Sequence, residues 1–193
     1  MKTNKLQKLT IIGVMIALST VIYMFFPEIP LVPGVEYLKI DFSDMPAVLG
    51  GLTVSPLSGV VIEIVKNAIH LLRTTTLGIG ELMNIGIGSS MIIAVSLSSK
   101  LFSKLLKKDK MSVQVYFLSA AVGIIATIAA GWLFNGILTP VYFNLMGIPV
   151  TGESVLAGVL GSTLLNTVKA AFNLLPFYPV YLAVYKANKK YSA

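Results

Sequence analysis

The chain has no cysteine, a single histidine and only eight acidic residues in 193. Without cysteine there is no disulfide and no thiolate metal site, and this says little about compartment. One histidine and scattered acids leave no H-E-x-x-H and no other metal-binding cluster, so no metal or other resident cofactor is expected. No G-x-x-x-x-G-K-[ST] string occurs, so the chain lacks a phosphate loop with which to hydrolyse ATP itself. No G-x-S-x-G elbow marks a hydrolase either. An enzymatic role has no residues behind it, and any energy the protein uses must come from elsewhere. Long polar linkers are also missing, which predicts one domain over 1–193. No repeat at a period of roughly 20 to 50 residues is evident, and the two halves show no clear similarity, which disfavours inverted-repeat transporters.

What the chain has in abundance is apolar sequence. Hydrophobic residues make up 55% and charged ones 12%, with a mean hydropathy of +0.84, which predicts an all-α integral membrane protein. Apolar stretches run at about 9–26, 44–56, 57–73, 80–103, 113–139 and 155–185. A spanning helix needs about 20 apolar residues, so these predict a six-helix bundle whose second member is short or re-entrant. The first stretch follows lysines as a signal peptide would, but no small-residue cleavage site follows it, so a retained helix is expected. Lys2, Lys5 and Lys8, then Lys100, Lys104, Lys107, Lys108 and Lys110, then Lys186, Lys189 and Lys190 account for eleven of the fifteen basic residues. With six spans they all fall on one side, which the positive-inside rule makes cytoplasmic, together with both termini. The net charge of +7 therefore reflects topology in a membrane, and nucleic acid is not an expected partner.

A few polar residues interrupt the apolar stretches at helical spacing. Glu63, Lys66, Asn67 and His70 stand at offsets of zero, three, four and seven, and Asn166, Lys169 and Asn173 at zero, three and seven. A charge at the bilayer centre costs at least about 3 kcal/mol, so such residues face a bundle interior and mark a polar cavity or substrate path. Glu63 and Lys66 can neutralise each other. Lys169 has no acid within a turn or two, so its partner comes from another helix, a backbone carbonyl or a ligand. With Asn166 and Asn135 it forms either glue between helices or a hydrogen-bonding set suited to a flat, heteroatom-rich molecule. His70 is either a proton relay or an interfacial contact. Asn84 lies in a glycine-rich stretch, GIGELMNIGIGSS, and is a pocket candidate. The outer aromatics, Phe42 and Trp132 among them, form an interfacial belt or a stacking surface. Gly13 and Ala17 form a small-xxx-small pair, where a partner helix would dock.

The strings YLKIDFSDMPAVLGGL and SPLSGVVIEIVKNAIHLL, the FN of Phe134 and Asn135 ahead of Pro140, and an asparagine three residues before Lys169 together carry a resemblance that covers most of the chain. They resemble the riboflavin-binding S components of energy-coupling factor (ECF) vitamin transporters. The resemblance implies a six-helix substrate-binding subunit of an ECF-type ABC importer that captures riboflavin, or its phosphorylated form FMN, from outside. An ordered outer loop between helices 1 and 2 would close the pocket. Its partners would be a transmembrane coupling subunit and two ATPases, so that ATP hydrolysis lies outside this chain. Carried across, Asn135, Asn166 and Lys169 would bond the flavin ring, and Leu38 and Ile40 would line the pocket. Asp41, Lys66 and Asn67 belong to the signature, as does Asp44. This chain reads LLNTVKAA and then NLLPFYP where the family typically has a proline and phenylalanine before the asparagine and a glycine after the lysine. That departure keeps open an S component for a different vitamin or precursor. A stand-alone proton-coupled transporter using Glu63, Lys66 and His70 is the rival from another class.

Overall fold

The computed structural model describes residues 5–26, 29–30 and 39–191. Seven α-helices follow one another: α1 Lys5–Phe25, α2 Met45–Thr53, α3 Pro56–His70, α4 Ile79–Leu106, α5 Val113–Leu145, α6 Gly152–Leu174 and α7 Tyr178–Tyr191. Between α1 and α2 two short strands, β1 Ile29–Pro30 and β2 Lys39–Ile40, pair antiparallel with Ile29 opposite Ile40. The β-branched Ile40 suits a paired strand. By length and composition α1, α4, α5 and α6 can each cross a membrane.

The bundle is sorted for a lipid solvent. Among the described residues, twenty apolar and nineteen polar or charged side chains are buried, while leucines such as Leu9, Leu97, Leu133 and Leu160 lie outward and exposed. Polar groups turn inward because hydrocarbon offers them no hydrogen bond. The apolar core lies where α2, α3 and α4 meet, with Val48, Ile62, Met91 and Ile92, and continues to Tyr116, Leu174 and Tyr181 on α5, α6 and α7. Close approach there depends on glycine. A Cβ on Gly59 would stand 2.6 Å from the Ala47 carbonyl oxygen and 2.9 Å from Gly51 N. The α2–α3 corner is set by Ser55, whose hydroxyl accepts from Ser58 N at 3.1 Å, with Pro56 opening α3 where no N–H is required.

The apolar stretch expected as one last helix over 155–185 is two helices, broken at Leu175–Phe177. Pro176 has no N–H to continue the ladder and clashes with the turn before it. Two buried tyrosines satisfy carbonyls at the break: Tyr181 Oη donates to Asn173 O at 2.5 Å, and Tyr116 Oη donates to Leu174 O at 2.6 Å. In the opposite sense, α5 runs through Pro140 to Leu145, beyond the apolar stretch expected at about 113–139.

Candidate functional site

The two buried lysines are neutralised by the same short segment. Asp44 sits at the N-terminus of α2, and Asp41 lies three residues earlier, just past β2. Lys66 on α3 donates to Asp44 Oδ1 and, at 2.8 Å, to Glu63 Oε2. Lys169 on α6 lies 3.0 Å from Asp41 Oδ2 and 3.5 Å from Asp44 Oδ2. Asp44 therefore bridges α3 and α6. Asn67 Nδ2 donates to both Glu63 O and Glu63 Oε1 at 2.8 Å, so Glu63, Lys66 and Asn67 form a closed, fully buried knot. Glu63 and Lys66 pair as expected, but Asp44 completes the pair from outside their helix.

The Asp41 segment is held from several sides. Ser43 donates to Asp41 Oδ1 through its backbone N at 2.8 Å and through its hydroxyl, while Asn173 Nδ2 donates to Asp41 O at 2.9 Å. From α1, Ser19 Oγ donates to Ser43 O. These bonds fix where the carboxylates stand relative to Lys169. Removing either lysine would leave a buried charge without compensation, which makes the cluster rigid rather than adaptable.

On the other side of Lys169 lies a small cavity of about 10 Å³ between α4, α5 and α6, lined by Asp44, Asn84, Thr127, Asn166, Lys169 and by Met91 among the apolar residues. Lys169 Nζ donates to Asn84 Oδ1 at 3.4 Å, and Asn84 Nδ2 donates to Tyr23 Oη at 2.7 Å. Asn166 is buried, yet its Nδ2 has no hydrogen-bond partner among the described residues. It packs against Gly131 of α5, where any side chain would displace it. A buried amide donor without a partner costs roughly 1–3 kcal/mol, and of the seven such buried side-chain atoms among the described residues Asn166 Nδ2 belongs to a residue that lines the cavity.

Of the residues expected to form a site, the fold brings Asn84, Asn166 and Lys169 together on one cavity. Asn135 is half-buried on α5, one turn beyond Gly131, and its Nδ2 donates to Gly131 O at 2.8 Å rather than into the cavity lining. Ile40 is buried in β2, and Leu38 lies outside the described residues. Lys66 and Asn67 belong to the charge knot behind Asp44. His70 Nδ1 stands 2.8 Å from Glu81 Oε1, and its ring stacks on Tyr23 at 3.7 Å between centroids. Phe42 packs on Phe172 and Phe177, and Trp132 donates to Thr163 Oγ1 at 2.7 Å, so neither faces the cavity lining. Gly13 and Ala17 are exposed on α1, with no atom within 4 Å of a Cβ built on Gly13. Sequence reasoning missed Tyr23, Thr127 and Glu81. Glu81 had a usable signal, being one of only eight acids in the chain and lying inside the apolar stretch at about 80–103.

Among the described residues the chain combines four helices long and apolar enough to cross a membrane with a buried, charged, hydrogen-bonded cluster. The match of residues 7–189 to the ECF transporter, substrate-specific component, shows that the chain belongs to that family, which is a family of transporter components and not of enzymes. It is 27% identical over 186 residues to the riboflavin transporter FmnP of Bacillus subtilis, covering 92% of each chain. It is 24% identical over 209 residues to the riboflavin transporter RibU of Lactococcus lactis, covering 96% of each. A solved structure described as the S component of a bacterial ECF transporter superposes with a TM-score of 0.70 at 21% identity, covering 97% of this chain and 98% of that one.

Proposed function

We propose that this chain is the riboflavin-capturing subunit of an ECF-type ABC importer in a prokaryotic cell membrane. It has six spans, with α6 and α7 counted as one broken span, and both termini are cytoplasmic. The unpartnered Asn166 amide carries the reading. Beside it, Lys169 supplies a cationic donor, and the cavity between α4, α5 and α6 is walled by Met91 and Ile87. Convergent donors with an apolar wall suit a flat ring with several acceptors. The names of the curated relatives point to riboflavin as that molecule.

In this reading Asn166 and Lys169 bond acceptor atoms of the flavin ring, with Asn135 turning from Gly131 O to join them. Asn84 and backbone groups of the 27–43 segment take the polar tail. A cavity of about 10 Å³ holds roughly one water, so a flavin enters only as the lining parts. Closure of the outward pocket falls to the 27–43 loop, most of which lies outside the described residues. A coupling subunit docked on the Gly13 and Ala17 stripe, driven by two ATPases, then reorients the loaded subunit. The described chamber sets three carboxylates, Asp41, Asp44 and Glu63, against two ammonium groups, Lys66 and Lys169. That balance favours neutral riboflavin over FMN, whose phosphate adds negative charge.

Protein purified from flavin-replete cells should be yellow, and uptake into vesicles should require ATP and the partner subunits. A colourless protein that binds a different vitamin would move the substrate within the family. Uptake by the isolated chain under a pH gradient would instead establish a proton-coupled carrier.

A further inference from the structure

Only the outer third of α1 is buried. Its buried residues are Ser19, Ile22 and Tyr23, none of which lines the cavity. Asn84 does line it, and its orientation is not arbitrary. A lysine ammonium can only donate, so Lys169 requires Asn84 Oδ1 to face it, and the amide N–H₂ must then face Tyr23 Oη. Tyr23 is itself clamped, with its ring stacked on His70 at 16° and Lys66 Nζ standing 5.3 Å from its centroid. Four elements thus converge on one phenol: α1 supplies it, α3 packs on its ring through Lys66 and His70, and α4 and α6 are reached through Asn84 and Lys169.

We propose that Tyr23 is a positioning residue for the ligand site: its hydroxyl fixes the Asn84 amide, and through it the direction of the Lys169 ammonium. The inference rests on the cavity being the ligand site. It makes α1 part of the binding apparatus although α1 contributes no cavity-lining residue, so a shift of α1 is felt at Lys169.

The test is a double-mutant cycle of Tyr23→Phe and Asn84→Ala, measuring riboflavin Kd by flavin fluorescence quenching and melting temperature in parallel. Tyr23→Phe keeps the ring and its stacking on His70. It should weaken binding about 5-fold, the worth of one hydrogen bond. In the Asn84→Ala background the same change should alter Kd less than about 2-fold, because the amide it acts through is gone. Fold-changes that multiply in the double variant, or a Tyr23→Phe protein that binds like the parent with only its melting temperature lowered, would overturn the inference and leave the binding site standing. A parent protein that does not bind riboflavin would overturn the proposed substrate, and this inference with it.

Discussion

Replacing each buried lysine by methionine separates the ligand site from the charge knot. Lys66 is enclosed: its ammonium contacts Asp44 and Glu63, and it is fully buried. Lys66→Met strands Glu63 and leaves Asp44 only Lys169, 3.5 Å away, and breaking a buried pair this way costs about 3–5 kcal/mol of stability. The folded fraction keeps Asn84, Asn166 and Lys169 in place, so its riboflavin Kd should change less than about 3-fold, or about 0.6 kcal/mol. Lys169→Met strands Asp41, 3.0 Å away, while Asp44 retains Lys66. Its stability loss should therefore be no larger than that of Lys66→Met. Its binding loss should be much larger, because a hydrogen bond from a charged group to the ligand is worth about 1.5–3 kcal/mol, or roughly 10- to 150-fold in Kd. Both variants are to be purified in detergent, melted, and titrated with riboflavin at a temperature where each is folded. Equal losses of affinity in the two variants, or none in Lys169→Met, would refute the placement of the ligand on the α6 side of Asp44.

Three further outcomes are expected. Asn166→Ala should lower riboflavin affinity by roughly 10-fold while leaving the melting temperature unchanged or raised, since its Nδ2 gives up no bond within the protein; titration and melting on one sample check this. Gly59→Ala should cost about 2 kcal/mol or more by overpacking against Ala47 O and Gly51 N, seen as a lowered melting temperature, with Kd unaffected in what folds. Gly13→Leu, where a Cβ meets nothing within 4 Å, should leave riboflavin binding by the purified chain intact yet reduce ATP-dependent uptake when the partner subunits are present. Unchanged uptake would place the coupling contact elsewhere.

Helical periodicity located Glu63, Lys66 and Asn67 on one face and Asn166, Lys169 and Asn173 on another, and all six are buried. It did so because a charge inside an apolar helix has few places to go. The partners of those charges were not legible. Lys66 and Asp44 are 22 residues apart, and Lys169 and Asn84 are 85 apart, so chain topology rather than local spacing decides the pairing. The counter-charge missing near Lys169 was present all along in the loop signature, as Asp41. The break at Pro176 was visible as a proline, but its tolerance depends on Tyr116, which reaches across from α5. Asn135 shows the converse. Gly131, one turn before it, packs against Asn166, whereas the Asn135 amide is spent on its own helix. Tyr23 carries no mark in the sequence, because its contact with Asn84 spans 61 residues and exists only through the packing of the helices.

The central claim, that the cavity at Asn166 and Lys169 binds riboflavin, is tested most directly by titrating the purified chain, stripped of any flavin, with riboflavin while following quenching of flavin fluorescence. The account predicts saturable binding of one riboflavin per chain, weakened in Asn166→Ala and Lys169→Met, and weaker binding of FMN. Absence of saturable quenching, or binding that neither substitution alters, would contradict it.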